Sequence, residues 1–153
     1  MSALQKINTL LDFPNLGLLL LRLWLGVEGF YHGGQKLFGL FGGMGIKGFA
    51  EWLGSMHVPM PEVSAVLAGV AELGGGILVA VGLFSRPAAL VFAINMGVAI
   101  ALVHTQAFDN GNKGFEFPMT LAVALLTIVF VGPGRLSLDS MIGRAAAAAR
   151  VRP

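Results

Sequence analysis

Four apolar stretches, each near the roughly 17 to 25 residues that a helix needs to cross a bilayer, run through this chain of 153 residues. They cover residues 16–34, 63–84, 88–104 and 117–131. Lipid offers no hydrogen bonds to a bare backbone, so such stretches must be helical. "SRP" at residues 85–87 and "GPG" at residues 132–134 read as turns. The proline of "SRP" is expected to stop one helix, and the next to begin at Ala88. Composition agrees: 56% of residues are hydrophobic and 12% are charged. A soluble domain carries about 25% charged residues, and one of this size could not hide so much apolar surface in a single core. The expected fold is all-α: a single domain over residues 1–153 that forms a four-helix transmembrane bundle with short interfacial helices.

Two amphipathic pieces flank the bundle. In "KGFAEWLGSM", Phe49, Trp52, Leu53 and Met56 repeat at helical spacing, which predicts a short helix on the outer face or capping the bundle. After Arg135, Leu138, Met141 and Ile142 share a face, and arginines follow. Residues 135–153 therefore read as a cytoplasmic amphipathic tail. Residues 1–14 read as an interfacial segment with Leu4, Ile7, Leu10 and Leu11 on one face, not as a signal peptide. Four spans put both termini on one side with Lys6, Arg86, Arg135, Arg144, Arg150 and Arg152. Lys36, Lys47 and Lys113 fall on the other side. The positive-inside rule places both termini in the cytoplasm. No basic patch is interleaved with stacking aromatics, so nucleic acid is not an expected partner. The expected partners are the lipid bilayer and a second protein or further copies of the chain. The chain has no cysteine, which removes disulfides and thiolate ligands.

Ionisable residues within spans are costly and mark sites or ion pairs. Here they are Arg22, Glu28 and His32 on the first span, Glu72 on the second, His104 closing the third and Glu116 opening the fourth. At about 1.5 Å per residue, Arg22 and Asn95 lie at roughly 10 Å from the cytoplasmic ends and Glu28 and Glu72 at roughly 18 to 20 Å. His32, His104 and Glu116 lie at roughly 24 to 26 Å. Glu28, His32 and Gln35 share one helical face, which burial cost turns inward. These residues predict a polar pocket toward the outer side. Each also has a plainer reading. Arg22 with Glu72 makes a buried ion pair, and the histidines bond to backbone carbonyls. Lys36 serves as a topology charge, and Glu116 answers a helix dipole.

Histidine and carboxylate together suit the carbonyls and protons of a quinone. His32, His104 and Glu116 are the candidates for ligand contact or proton relay, and Arg22, Glu28, Gln35, Lys36 and Glu72 complete the ligand-binding set. The same His32, His104 and Glu116 are candidate metal ligands, although no HxxxH or ExxH spacing supports a metal.

The stretches "LLRLWLGVEGFYHGGQKLFGLFGG", "GVAELGGGILVAVGLFSRPAAL", "MGVAIALVH", "KGFEFPMTL" and "VGPGRLSLD" closely resemble the DoxX family of small bacterial four-helix membrane proteins. Arg22, the "HGGQK" element with His32, Gln35 and Lys36, Gly42 and Gly43, Glu72, His104 and Glu116 match the family's pattern. Glu28 departs from it. The resemblance implies a redox-associated membrane subunit. Related proteins look like the small subunit of an archaeal thiosulfate–quinone oxidoreductase, or like membrane partners of redox, oxidative-stress or metal-handling systems. Expected roles are therefore a subunit of a quinone-linked oxidoreductase, a non-catalytic anchor that docks a partner around Trp52, or a metal-handling membrane protein.

Overall fold

The computed structural model describes residues 13–109 and 114–150, and among them the fold is all-α. The helices are α1 (Pro14–Phe38), α2 (Gly45–Ser55), α3 (Pro61–Val81), α4 (Ser85–Val103), α5 (Glu116–Val131) and α6 (Leu138–Arg150). A 3-10 turn, Leu40–Gly42, lies between α1 and α2. The interfacial segment expected before Pro14 falls almost wholly outside the described residues.

The helix ends follow from local chemistry. Pro14 and Pro61 open α1 and α3, where a missing N–H costs nothing. Gly39 and Gly82 close the same helices in the left-handed conformation. α1 thus runs four residues past its expected end and carries Lys36 on its last turn. α4 corrects the expected turn at "SRP". It begins at Ser85, so Pro87 sits in its first turn, where no intrahelical N–H is needed.

α1, α3, α4 and α5 pack in a ring: α1 on α3, α3 on α4, α4 on α5 and α5 back on α1. Leu25, Val79, Phe92, Leu125 and Ile128 fill the centre and are buried. α2 folds over the end of the ring, with Phe49, Ala50 and Leu53 buried against Ala65 of α3. It therefore caps the bundle, one of its two expected placements. Its apolar face turns inward: Trp52 is half-buried and stacks on Phe49. Part of the surface around Trp52, expected to dock a partner enzyme, is used within the chain.

The outside of the ring is apolar. Leu20, Trp24, Val27 and Phe30 on α1, Leu67 and Val70 on α3, Val91 and Ile94 on α4 and Phe130 on α5 are all exposed. A belt of that extent suits lipid, not water. α3 and α4 are each long and apolar enough to cross a membrane by length and composition. α5 is apolar but shorter, and α1 is longer but interrupted by Arg22, Glu28 and His32.

Opposite α2, the end of the bundle is tied by two charged side chains. Arg22 is buried. Its guanidinium donates to the Val79 and Ala80 carbonyls at the end of α3, each at 3.0 Å, and to the Pro133 carbonyl. It thereby adds bonds to carbonyls of the last turn, where a helix end leaves C=O groups short of partners; the Val79 carbonyl also accepts the Gly82 N–H at 3.2 Å. Asp139, opening α6, does the reverse for α4. Its carboxylate accepts from the Phe84 and Ser85 N–H groups at 2.8 and 2.9 Å and from the Ser85 hydroxyl at 2.8 Å. Partial burial pushes the Asp139 carboxyl up. The N–H and hydroxyl of Ser85, the N–H of Phe84 and the Arg22 guanidinium outweigh that and hold it below the usual carboxylate range. The stability this supplies is complete above the unfolded value of about pH 4 and is lost as pH falls through the lower folded value. Asp139→Ala should cost about 1 kcal/mol at neutral pH, as for other lost caps. It should also flatten the acid side of the stability profile, read by thermal unfolding in detergent from pH 7 down to pH 2.

Candidate functional site

The polar end of α1 lies at the α2 end of the bundle. Glu28, His32 and Lys36 follow one another at four-residue spacing, so they stand on one face. That face lines a cavity of about 420 Å³, a volume typical of small-molecule sites. α3 adds Glu72, and α4 adds Phe92, Met96, Ala99 and His104. Phe117, Pro118 and Leu121 come from α5.

Glu72 is the most enclosed charge here, at 2% exposure. One of its oxygens takes the Lys36 ammonium and the other accepts from Asn95 Nδ2 at 3.0 Å. Lys36 also lies 5.7 Å from the Phe49 ring centre, which places its charge beneath α2. Glu28 and His32 form a looser pair, Oε2 to Nε2 3.5 Å, and the His32 ring lies 5.7 Å from the Phe117 ring. His104 sits at the C-cap of α4, with its backbone N–H bonded to the Ile100 and Ala99 carbonyls. Its Nδ1 is buried without a hydrogen-bond partner, and among the described residues it is the sole buried side-chain N or O atom in that state.

Five of the expected residues therefore converge: Glu28, His32, Lys36, Glu72 and His104. Three do not. Arg22 lies 14 residues before Lys36, about 21 Å along α1, and bonds carbonyls at the opposite end, so the expected Arg22–Glu72 pair is replaced by Lys36–Glu72. Lys36 is thus the partly buried partner of Glu72 and not a free charge. Glu116 is exposed and does not line this cavity, because Phe117, Pro118 and Leu121 take the inward face of α5. Gln35 is half-buried and lies outside the cavity; Gly43 packs on its backbone so closely that a Cβ there would lie 2.4 Å from the Gln35 Cα. Asn95 belongs to the site although its expected depth matched Arg22. Starting α4 at Ser85 rather than Ala88 moves it three residues further in, and ending α3 at Val81 rather than at residue 84 moves Glu72 three residues less far in; at about 4.5 Å each, the two shifts bring them level. Among the described residues, no three of His, Cys, Asp and Glu gather as a metal ion would need.

The arrangement offers hydrogen-bonding groups at one end of an otherwise apolar, aromatic-walled space. It fits a flat, mostly apolar ligand with one or two polar atoms. A compact polar or highly charged ligand would leave Phe92, Met96 and Leu121 without matching surface.

The DoxX family model matches residues 17–105, more than half of the chain. The "Inner membrane protein YphA" of Escherichia coli (strain K12) is 32% identical over 67% of this chain and 78% of its own. The protein of Bacillus subtilis (strain 168) named "Putative oxidoreductase CatD" is 31% identical over 83% of this chain and 87% of its own. An uncharacterized membrane protein of Mycobacterium tuberculosis is 32% identical over 62% of this chain and 65% of its own. No solved structure matches.

Proposed function

The chain belongs to the DoxX family, and from that premise we propose that it is a redox-associated subunit of a bacterial inner membrane that binds a quinone ring between α1, α4 and α5. In this reading α1, α3, α4 and α5 all cross the bilayer, both termini are cytoplasmic and the cavity opens toward the outer side. The apolar belt supports the crossing of all four helices, and the excess of arginines after Gly132 supports the orientation.

One observation carries the ligand assignment: the buried, unpartnered Nδ1 of His104. Buried polar atoms almost always have a partner, and a ring oxygen supplies one. The rings of Phe92 and Phe117 bound the flat faces of the ligand. His32, paired with Glu28, holds an exchangeable proton beside the same space. Lys36 and Glu72 neutralise each other at the floor of the cavity, and the Asn95 amide donates to Glu72 from behind. A bound quinone supplies the capacity to accept or release electrons and protons. With no cysteine, the chain lacks the thiolates that would hold an iron–sulfur cluster, and electron entry is assigned to a partner protein. The oxidoreductase in a relative's name agrees with this reading.

Native mass spectrometry of the chain extracted from membranes in mild detergent tests it. A mass excess matching a lipid quinone is expected. His104→Ala should reduce the loaded fraction at least tenfold, with an unchanged helical spectrum and melting temperature. A bare chain, or equal loading of the variant, would overturn the assignment.

A further inference from the structure

A second cavity, also about 420 Å³, lies against the first and shares four residues with it: Lys36, Glu72, Ala99 and His104. Its character differs. It runs between α3 and α4 under the roof of α2, and Ala68 and Ala71 of α3 leave its space open. Among its lining side chains, the carboxylate, ammonium, amide and imidazole all belong to the cluster at the shared boundary. The remaining polar groups are the Ser64 hydroxyl, which donates to the Pro59 carbonyl, and the indole N–H of Trp52 in the roof. Leu67, Val91, Ile94, Val98 and Leu102 line the other part and are themselves exposed on the apolar outer belt.

An apolar groove that reaches the lipid-facing surface is not a place for water, which would find too few polar partners. Left empty, it would forfeit the dispersion contacts of its lining atoms. A hydrocarbon chain fills it without loss. A plain lipid chain, however, would leave the His104 nitrogen unmatched. We infer that the two cavities form one head-and-tail site: the ring sits in the first, and an apolar isoprenoid-like tail runs past Ala99 and His104 into the second, out toward the lipid between α3 and α4. This rests on the quinone reading above and narrows it to membrane-resident, tailed quinones in place of soluble, tail-less ones.

Trp52 lines the second cavity, and the chain's other tryptophan, Trp24, is exposed on α1. A Trp24→Phe background therefore leaves one reporter beside the expected tail. In lipid nanodiscs, a decyl-tailed benzoquinone and the same ring without the tail would be titrated, with affinities referred to concentration in the bilayer. The tailed compound should quench Trp52 saturably and bind at least tenfold tighter than the tail-less one. Ala71→Phe, which fills the groove, should erase most of that difference while leaving the tail-less affinity unchanged. Val98→Phe acts from the lipid-facing side and should do the same if the first variant fails to fold. Equal affinities for the two compounds, or tailed binding indifferent to both variants, would overturn the head-and-tail site and leave the ring site standing. Binding of neither compound would remove the quinone reading, and this inference with it.

Discussion

Exchanging Lys36 for methionine should cost about 3 to 5 kcal/mol of stability, because it leaves the Glu72 carboxylate buried with one amide as its remaining partner. An ion pair of this kind is weak evidence for net stabilisation, since taking both charges out of water costs about what their attraction returns. Removing one partner is a different event, because the surviving charge keeps its desolvation cost and loses its compensation. The signature is therefore non-additive. Lys36→Met and Glu72→Leu should each be severely destabilising. The double variant should lie within about 1.5 kcal/mol of the parent, as volume-conserving apolar replacements do. Denaturation in mixed micelles by increasing sodium dodecyl sulfate, followed by circular dichroism, reads all four corners of the cycle. A double variant as unstable as the sum of the singles would show that Lys36 and Glu72 act independently.

The fold was legible because the membrane limits the choices. Long apolar runs, prolines at helix starts and glycines at helix ends set the elements to within a few residues. Much of the site was legible for the same reason, since a charge inside an apolar helix is conspicuous. The misses are rotational and axial. Glu116 stands at the right depth, but one residue, about 100° of helix, separates it from the inward-facing Phe117. Asn95 was displaced along its helix by reading Pro87 as a stop when it belongs to a first turn. Arg22 was assigned to Glu72, a buried opposite charge on the next span. The end of α3 offered it carbonyls instead, and hydrophobicity patterns carry no record of unpaired backbone groups. The second cavity left no signal in any one segment. It exists because alanines on α3 face open space beneath a helix that folds over from elsewhere, and such coincidences arise only on packing.

The same packing makes Gly29 a position where a small change should have a large structural effect. α1 and α3 meet backbone to backbone there: a Cβ added at Gly29 would fall 2.4 Å from the Glu72 carbonyl oxygen and 2.8 Å from the Gly76 Cα. Neither atom belongs to a side chain that can rotate away, so α1 would have to move as a body. Helices in lipid are held largely by such close contact, since no hydrophobic effect drives them together. Gly29→Val should therefore cost about 3 kcal/mol or more and lower the yield of folded protein in the membrane fraction. Gly97→Ala is the matching control. It too is a glycine within a helix, but no atom lies within 4 Å of the added Cβ. That exchange should be neutral or stabilise by up to about 1 kcal/mol. The damage at Gly29 should also reach the site, because the carbonyl it would strike belongs to Glu72 itself. A milder Gly29→Ala chain that still folds should therefore lose ligand from the cavity, while Gly97→Ala should retain it, with native mass spectrometry reading both. Equal retention in the two would mean that the Glu72 carboxylate holds its place independently of the helix contact behind it.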